Sequence, residues 1–298
     1  ETDRVLVSAD RHVAVGYGDR VRIVGELETP GTFVTEYGRT FDYANYLKAR
    51  GIEYRIGFAE VTVVESGHGN PIIASILRVK AWFLERLALI IPEPAVGLGA
   101  GLLLGVQSGL GEELESAFRS TGIIHIVVLS GYNVMLVVTF FMYVLAFVLP
   151  FRWRLLVGLA GITGFALLVG LSATVVRASI MAGLLLLVRM VGGTHNLLRA
   201  LCLAAVIMLL INPHLLLYDV GFQLSFVATL ALIVAVELVE RWFGWLPGTF
   251  GMREFAVATA TTQLFVTPLL LYQIGEVSLV AILANLLVLP IVPVAMLL

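Results

Sequence analysis

Beyond residue 122 the chain runs in long apolar stretches parted by short polar breaks. An α-helix needs about 20 apolar residues to cross a bilayer. The pattern predicts seven spans, at 123–149, 155–171, 175–191, 197–211, 222–239, 255–273 and 277–298. Several are short, which predicts broken or re-entrant helices. Gly158, Gly161 and Gly164 give one helix a smooth face for close packing. Ahead of the spans, 72–91 mixes Ile72, Ile73, Ile76, Trp82 and Phe83 with Arg78, Lys80, Glu85 and Arg86, the pattern of a helix lying in the bilayer interface. Gly97, Gly101 and Gly105 predict a close-packed half-helix, and 112–121 is amphipathic again.

The first 71 residues read differently. Short β-rich runs occur at Val5-Leu6-Val7 and at Val21-Arg22-Ile23-Val24, after the turn Gly16-Tyr17-Gly18-Asp19. Tyr54-Arg55-Ile56-Gly57-Phe58 and Val61-Thr62-Val63-Val64 predict a late hairpin. Between them, Phe41 to Lys48 has helical spacing and Gly51 stops it. Short strands with one inserted helix predict a small barrel, an OB-like fold. Phe41, Tyr43 and Tyr46 either stack bases or close the core of that barrel, the commoner fate of such rings. The fold expected is therefore a mostly α-helical polytopic membrane domain preceded by a small OB-like β-barrel. The parts are a β domain at 1–71, interfacial and half-helices at 72–122, and the membrane domain at 123–298.

Composition supports the membrane reading. Hydrophobic residues make up 59% of the 298 and charged residues 13%, about half the charge of a soluble domain. Residues 123–236 carry only Arg152, Arg154, Arg177, Arg189, Arg199 and Asp219. A charge at the bilayer centre costs roughly 2.5–3.5 kcal/mol on insertion scales, so lipid is the medium that fits. The formal charge of −2 gives no global basic field. Cys202 is the sole cysteine, so no intrachain disulfide forms.

Alternate loops differ in charge. Arg152 and Arg154, Arg189 and Arg199, and Arg241 and Arg253 flank one set; 172–174, 212–221 and 274–276 hold no Lys or Arg. The positive-inside rule then puts the arginine loops in the cytoplasm and the β domain outside. The chain starts at Glu1 and stops at Leu298 within an apolar run, so it is expected to be a piece of a longer protein.

Three polar clusters interrupt the apolar runs. The first is His125, Ser130, Gly131 and Asn133. Ser130 and Asn133 share a helix face, whereas His125 joins them only if Gly131 breaks the helix. Three readings stay open: interhelical hydrogen bonds that fix packing, a polar pathway lining, or a serine hydrolase with Ser130 activated by His125. A rhomboid-like protease has Gly-x-Ser-Gly, and Val128 stands at the first glycine position. The second cluster is Ser172, Thr174 and Arg177. The third is Asn212-Pro213 with Asp219, Gly221, Gln223 and Ser225. Arg177 and Asp219 lie on the same side by the loop count and are candidates for an ion pair. His12, His68, His125, His195 and His214 show no metal-ligand spacing, and no Walker loop is present. No metal or other cofactor is expected.

At these clusters the sequence resembles the ComEC family of competence proteins. The matching stretches are His125–Asn133, Ser172–Met181, Asn212–Phe226 and Pro268–Asn285, with Pro290 and Pro293 beyond. In the β domain Gly18-Asp19-Arg20-Val21 and Phe41-Asp42-Tyr43 match. The resemblance implies a multi-pass protein of the bacterial cytoplasmic membrane that passes single-stranded DNA inward during natural transformation. It implies a DNA receptor outside and a helicase inside. The path would be lined by His125, Ser130, Gly131, Asn133, Arg177, Asp219, Gln223, Ser225 and Asn285. Family members often have spans before the external domain and a C-terminal metallo-β-lactamase-like domain; neither pattern occurs in these residues, so no enzyme activity is expected of them. The rival functions are transport of another anionic solute and intramembrane hydrolysis.

Overall fold

The computed structural model describes residues 4–9, 15–34, 38, 40–106, 109–127, 130–190, 196–248, 251–273, 275, 277–278 and 280–297. His12, Val128, Leu129 and His195 lie outside them. The chain divides into two compact units. One comprises Glu1–Ala81 with Leu209–Val220, the other Trp82–Met208 with Gly221–Leu298.

The first unit is built on one long strand. Its strands are β1 (Arg4–Ala9), β2 (Arg20–Val24), β3 (Leu27–Glu28), β4 (Thr32–Val34), β5 (Thr40–Asp42) and β6 (Ile52–Glu65), with helix α1 (Tyr43–Lys48) before β6. β6 pairs with β1 in parallel along its first half. On the antiparallel side β2 pairs with Glu60–Glu65 and β3 with Arg55 and Ile56, so the two follow one another along β6. The expected hairpin at 54–64 is thus a single strand. No Gly-rich turn separates its halves. Instead Phe58 takes a left-handed backbone, φ +50°, and bends the strand while the ladder continues. β4 and β5 pair with each other as a separate ribbon. The β region is a small open sheet with a ribbon; a closed barrel is not shown.

The turn before β2 is held by polar groups. Asp19 accepts from the Gly16 amide at 2.7 Å. That bond and one from the Ser66 side chain hold the Asp19 carboxyl below the ordinary carboxylate range. Gly18 sits at φ +88° with its α-carbon against the backbone of Gly69.

Helix α1 and the β4–β5 ribbon before it carry an aromatic cluster. Asp42 caps it, its Oδ1 accepting from the Asn45 amide at 3.0 Å. Gly51, at φ +72°, ends the turn after it. Phe33, Phe41, Tyr43 and Tyr46 form one cluster with ring centroids 5.3–6.0 Å apart. The Arg50 guanidinium lies 3.8 Å over the Tyr46 ring.

A segment from far along the chain completes this unit. The Asn212 side-chain amide donates to the Ala49 carbonyl at 2.6 Å. Arg50 pairs with Asp219 at 3.3 Å. Both partners stand at the C-terminal end of α1, where carbonyls and a cation are favoured. Asp219 is 6% exposed.

In the second unit the helices are packed by small residues. Helix α2 (Pro71–Ile90) leads in, followed by α3 (Ala95–Leu104), α4 (Glu112–Ser120), α5 (Ile124–Val127), α6 (Gly131–Val148), α7 (Phe151–Val169), α8 (Ala173–Met190), α9 (Leu197–Ile211), then α10 (Leu215–Tyr218), which belongs to the first unit, and α11 (Val220–Glu240), α12 (Met252–Gln273), α13 (Ala281–Val288) and α14 (Val292–Leu297). Helices α6, α7 and α8 enclose a core of Val134, Val138, Leu155, Ile162, Ala166, Val175, Ala178, Ala182 and Leu186. Gly158 packs on Met142, and Gly161 lies directly under the Phe141 ring. In α3, Gly97 packs on the Gly109 carbonyl, as the glycine spacing predicts for a close-packed half-helix. A second core joins Leu102, Ile126 and Val292 with Leu136, Val288 and Leu289.

Three stretches are long and apolar enough to cross a membrane among the described residues: Ile124–Val148, Val220–Phe243 and Met252–Gln273. Shorter apolar helices fill Ala95–Leu104, Trp153–Val169, Ala173–Val188 and Leu197–Ile211. One expected span is revised, whereas the span at 123–149 stands as Ile124–Val148, with Ser130 extended at ψ 162° ahead of α6. The span at 277–298 is two short helices. Pro290 offers no amide to a helix and its ring clashes with the preceding turn, whereas Pro293 falls in the first turn of α14, where it is tolerated.

Three outcomes follow for the full chain in detergent. Arg50→Ala leaves Asp219 without this cation and should lower stability by about 1–3 kcal/mol, less than a fully buried pair because Arg50 is half-exposed. Arg50→Lys should recover only part, since it lacks the flat group that covers Tyr46. Gly161→Val places a branched side chain under Phe141 and should cost about 1–3 kcal/mol. Thermal unfolding midpoints check all three.

Candidate functional site

The first polar cluster is assembled at the start of α6. The Ser130 Oγ accepts from the Asn133 amide at 3.3 Å, capping the helix, and donates to Asn133 Oδ1 at 3.2 Å. Asn133 is fully buried. Its Nδ2 donates to the carbonyls of Ile126 at 3.0 Å and Leu102 at 3.3 Å. One side chain thus satisfies carbonyls near the ends of α3 and α5 that short helices leave orphaned. His125 is exposed, and its Nδ1 lies 2.9 Å from the Gly122 carbonyl. Among the described residues Ser130 and His125 share no hydrogen bond, and the Ser130 hydroxyl is engaged by Asn133.

The second and third clusters meet on Arg177. Ser172 caps α8, its Oγ accepting from the Val175 amide at 3.4 Å. One turn on, Arg177 is 8% exposed. Its Nε donates to Ser225 Oγ at 2.6 Å and its Nη1 to Thr229 Oγ1 at 2.6 Å, both on α11. The guanidinium lies 5.8 Å from the Phe226 ring. The same group reaches back to α6, where Gly131 makes room for Nη2. Gly131, Arg177 and Ser225 therefore form one locus, adjoined through α6 by Ser130 and Asn133. Arg177 and Asp219 belong to different units, and each has partners within its own.

Gln223 accepts from Gln273 Nε2 at 2.7 Å, tying α11 to α12. Asn285 is 4% exposed, and its Oδ1 is sealed with no hydrogen-bond partner, as are the hydroxyls of Thr259, Thr261 and Ser278. Buried polar groups of this kind take ordered water or a ligand.

Sequence reasoning missed Thr229, Gln273, Thr259 and Thr261. Ser225 and Thr229 are four apart on one face, a signal present in the sequence. Thr259 and Thr261 stand in the run Thr259-Ala260-Thr261-Thr262-Gln263, a polar break that the sequence also shows, whereas Gln273 is a single polar residue at the end of an apolar run.

A family model described as Competence protein matches residues 102–298, the region that holds these clusters. ComE operon protein 3 of Bacillus subtilis (strain 168) is 23% identical over 274 residues, covering 92% of this chain and 34% of that protein. The chain thus spans about a third of the length of that relative. No solved structure matches the chain. The family match covers well over half of the 298 residues, and with its apolar helices the chain is a membrane protein of the Competence protein family, the ComEC family that its motifs resemble.

Proposed function

We propose that the chain forms the membrane path by which single-stranded DNA enters the cytoplasm in natural transformation. One observation carries this reading beyond family membership. Residues 130–133, 177 and 225–229, far apart in sequence, converge as a polar locus inside an otherwise apolar helical unit. Polar groups at that depth are costly and mark a pathway more often than they serve packing. Most of them are neutral, which allows a polyanion to enter without being trapped.

On this reading the protein sits in the bacterial cytoplasmic membrane with the β region outside. The rings of Phe33, Phe41, Tyr43 and Tyr46 receive bases by stacking. His125, Gln223 and Asn285 extend the path from the central locus. No enzymatic step is assigned to these residues. The energy comes from a cytoplasmic helicase, and a separate receptor delivers the strand from outside. A second reading has one observation in its favour: Arg177 held by neutral hydroxyls suits any phosphorylated solute.

Uptake of labelled DNA into the cytoplasm tests the reading, with membrane level checked by blot. Ser130→Ala removes a cap and one hydroxyl, worth about 1 kcal/mol, so import should weaken and persist. Asn133→Leu deletes the amide that serves two carbonyls and places apolar bulk beside the path, so import should fail with protein still inserted. Complete loss in Ser130→Ala at normal level would instead support the hydrolase. For orientation, a cysteine at Ser66 should react with an impermeant thiol reagent in intact cells, and one at Arg154 only after the membrane is opened. The opposite labelling would reverse the topology.

A further inference from the structure

Among the described residues Arg177 lies inside the second unit with no counter-ion and takes part in no ion pair. Its partners there are the hydroxyls of Ser225 and Thr229 and the Met181 sulfur at 3.7 Å. All are neutral. They fix the plane of the guanidinium and leave its charge uncompensated.

The remaining nitrogen, Nη2, has no hydrogen-bond partner among the described residues. It is not one of the sealed polar atoms. It faces Gly131, the first residue of α6, so closely that a β-carbon there would stand 2.9 Å away. Helix α6 is 18 residues long, and its amino end carries partial positive charge. Two positive groups therefore stand against each other in a contact that only glycine permits. Such an arrangement is costly alone and becomes favourable when an anion joins the two.

We infer that Arg177 Nη2 and the amino end of α6 form a binding site for a single phosphate oxyanion, with Gly131 letting the guanidinium stand against the helix end. The planar guanidinium suits a phosphate oxygen, and its other edge is already anchored, so little ordering remains to be done on binding. One guanidinium without a second cation holds a phosphate briefly, as a stepping site requires. The source of the phosphate rests on the transport reading: there it is a phosphodiester of the passing strand. A lipid headgroup presents the same oxyanion.

The test uses the full chain in a maltoside detergent stripped of lipid. Its unfolding midpoint is followed against inorganic phosphate, with chloride holding ionic strength constant. Phosphate should raise the midpoint of the wild type. Arg177→Gln should raise the half-saturating phosphate at least tenfold. Gly131→Ala keeps the charge and sets a methyl against Nη2; it should do the same, and it carries the test if Arg177→Gln fails to insert. Arg177→Lys should restore little, because an ammonium cannot hold two hydroxyls and also reach α6. An absent response in the wild type, or an equal one in Gly131→Ala, would overturn the site.

Further arms identify the source. A response to an oligothymidylate but not to its uncharged methylphosphonate analogue supports the strand. A response to phosphatidylglycerol alone keeps the oxyanion site and overturns the strand as its occupant. Phosphate binding through Arg177 in a protein that imports no DNA overturns the transport reading and leaves the site standing. Undiminished import in Gly131→Ala with the phosphate response gone overturns the stepping role.

Discussion

A polar atom within an apolar helical unit must find its partner in the protein, because lipid offers none. Asn133 meets that demand for three elements at once. Its amide serves the carbonyls of Leu102 and Ile126, and its own backbone is capped by Ser130. Without it, the ends of α3 and α5 would present unpaired carbonyls in a region with few other donors. The interrupted helices of this unit are tolerable because such bonds exist. The second core, of Leu102, Ile126 and Val292, surrounds the same junction.

Arg177 meets the same demand with less complete compensation. Two hydroxyls from one face of α11 hold it, and a glycine from α6 admits it. The side-chain amide of Asn133 makes three hydrogen bonds and holds the wall of the proposed path in place rather than a ligand. A guanidinium with neutral partners keeps its charge for use.

Much of this organisation is legible in the chain. The apolar runs locate most of the helices, because length and composition suffice for a helix in lipid. The clusters at Ser130, Arg177 and Ser225 stand out because polar residues are scarce there. Two features mislead. Phe58 gives no sign of a left-handed backbone, since that conformation is set by the strands on either side of β6, so one bent strand reads as a hairpin. Pro290 is visible, yet an apolar run through it reads as continuous. The pairing of Asn212 with Ala49 spans 163 positions and cannot be read locally. Arg50 and Tyr46, spaced four apart on the surface of α1, look like an ordinary exposed pair until Asp219 is placed beside them.

The broken end of the helical unit bears on how the protein is made. Helix α13 has 8 residues; at about 1.5 Å per residue it does not reach halfway across a hydrocarbon core of about 30 Å. It cannot therefore partition into lipid as an independent span during synthesis. The apolar side chains of Val288, Leu289 and Val292 bury against Leu102, Ile126 and Leu136 instead. Those residues leave the ribosome more than 150 positions earlier. The last stretch of the described chain must wait for α3, α5 and α6 to be in place, which makes biogenesis sequential and leaves a late, exposed intermediate for membrane quality control to recognise.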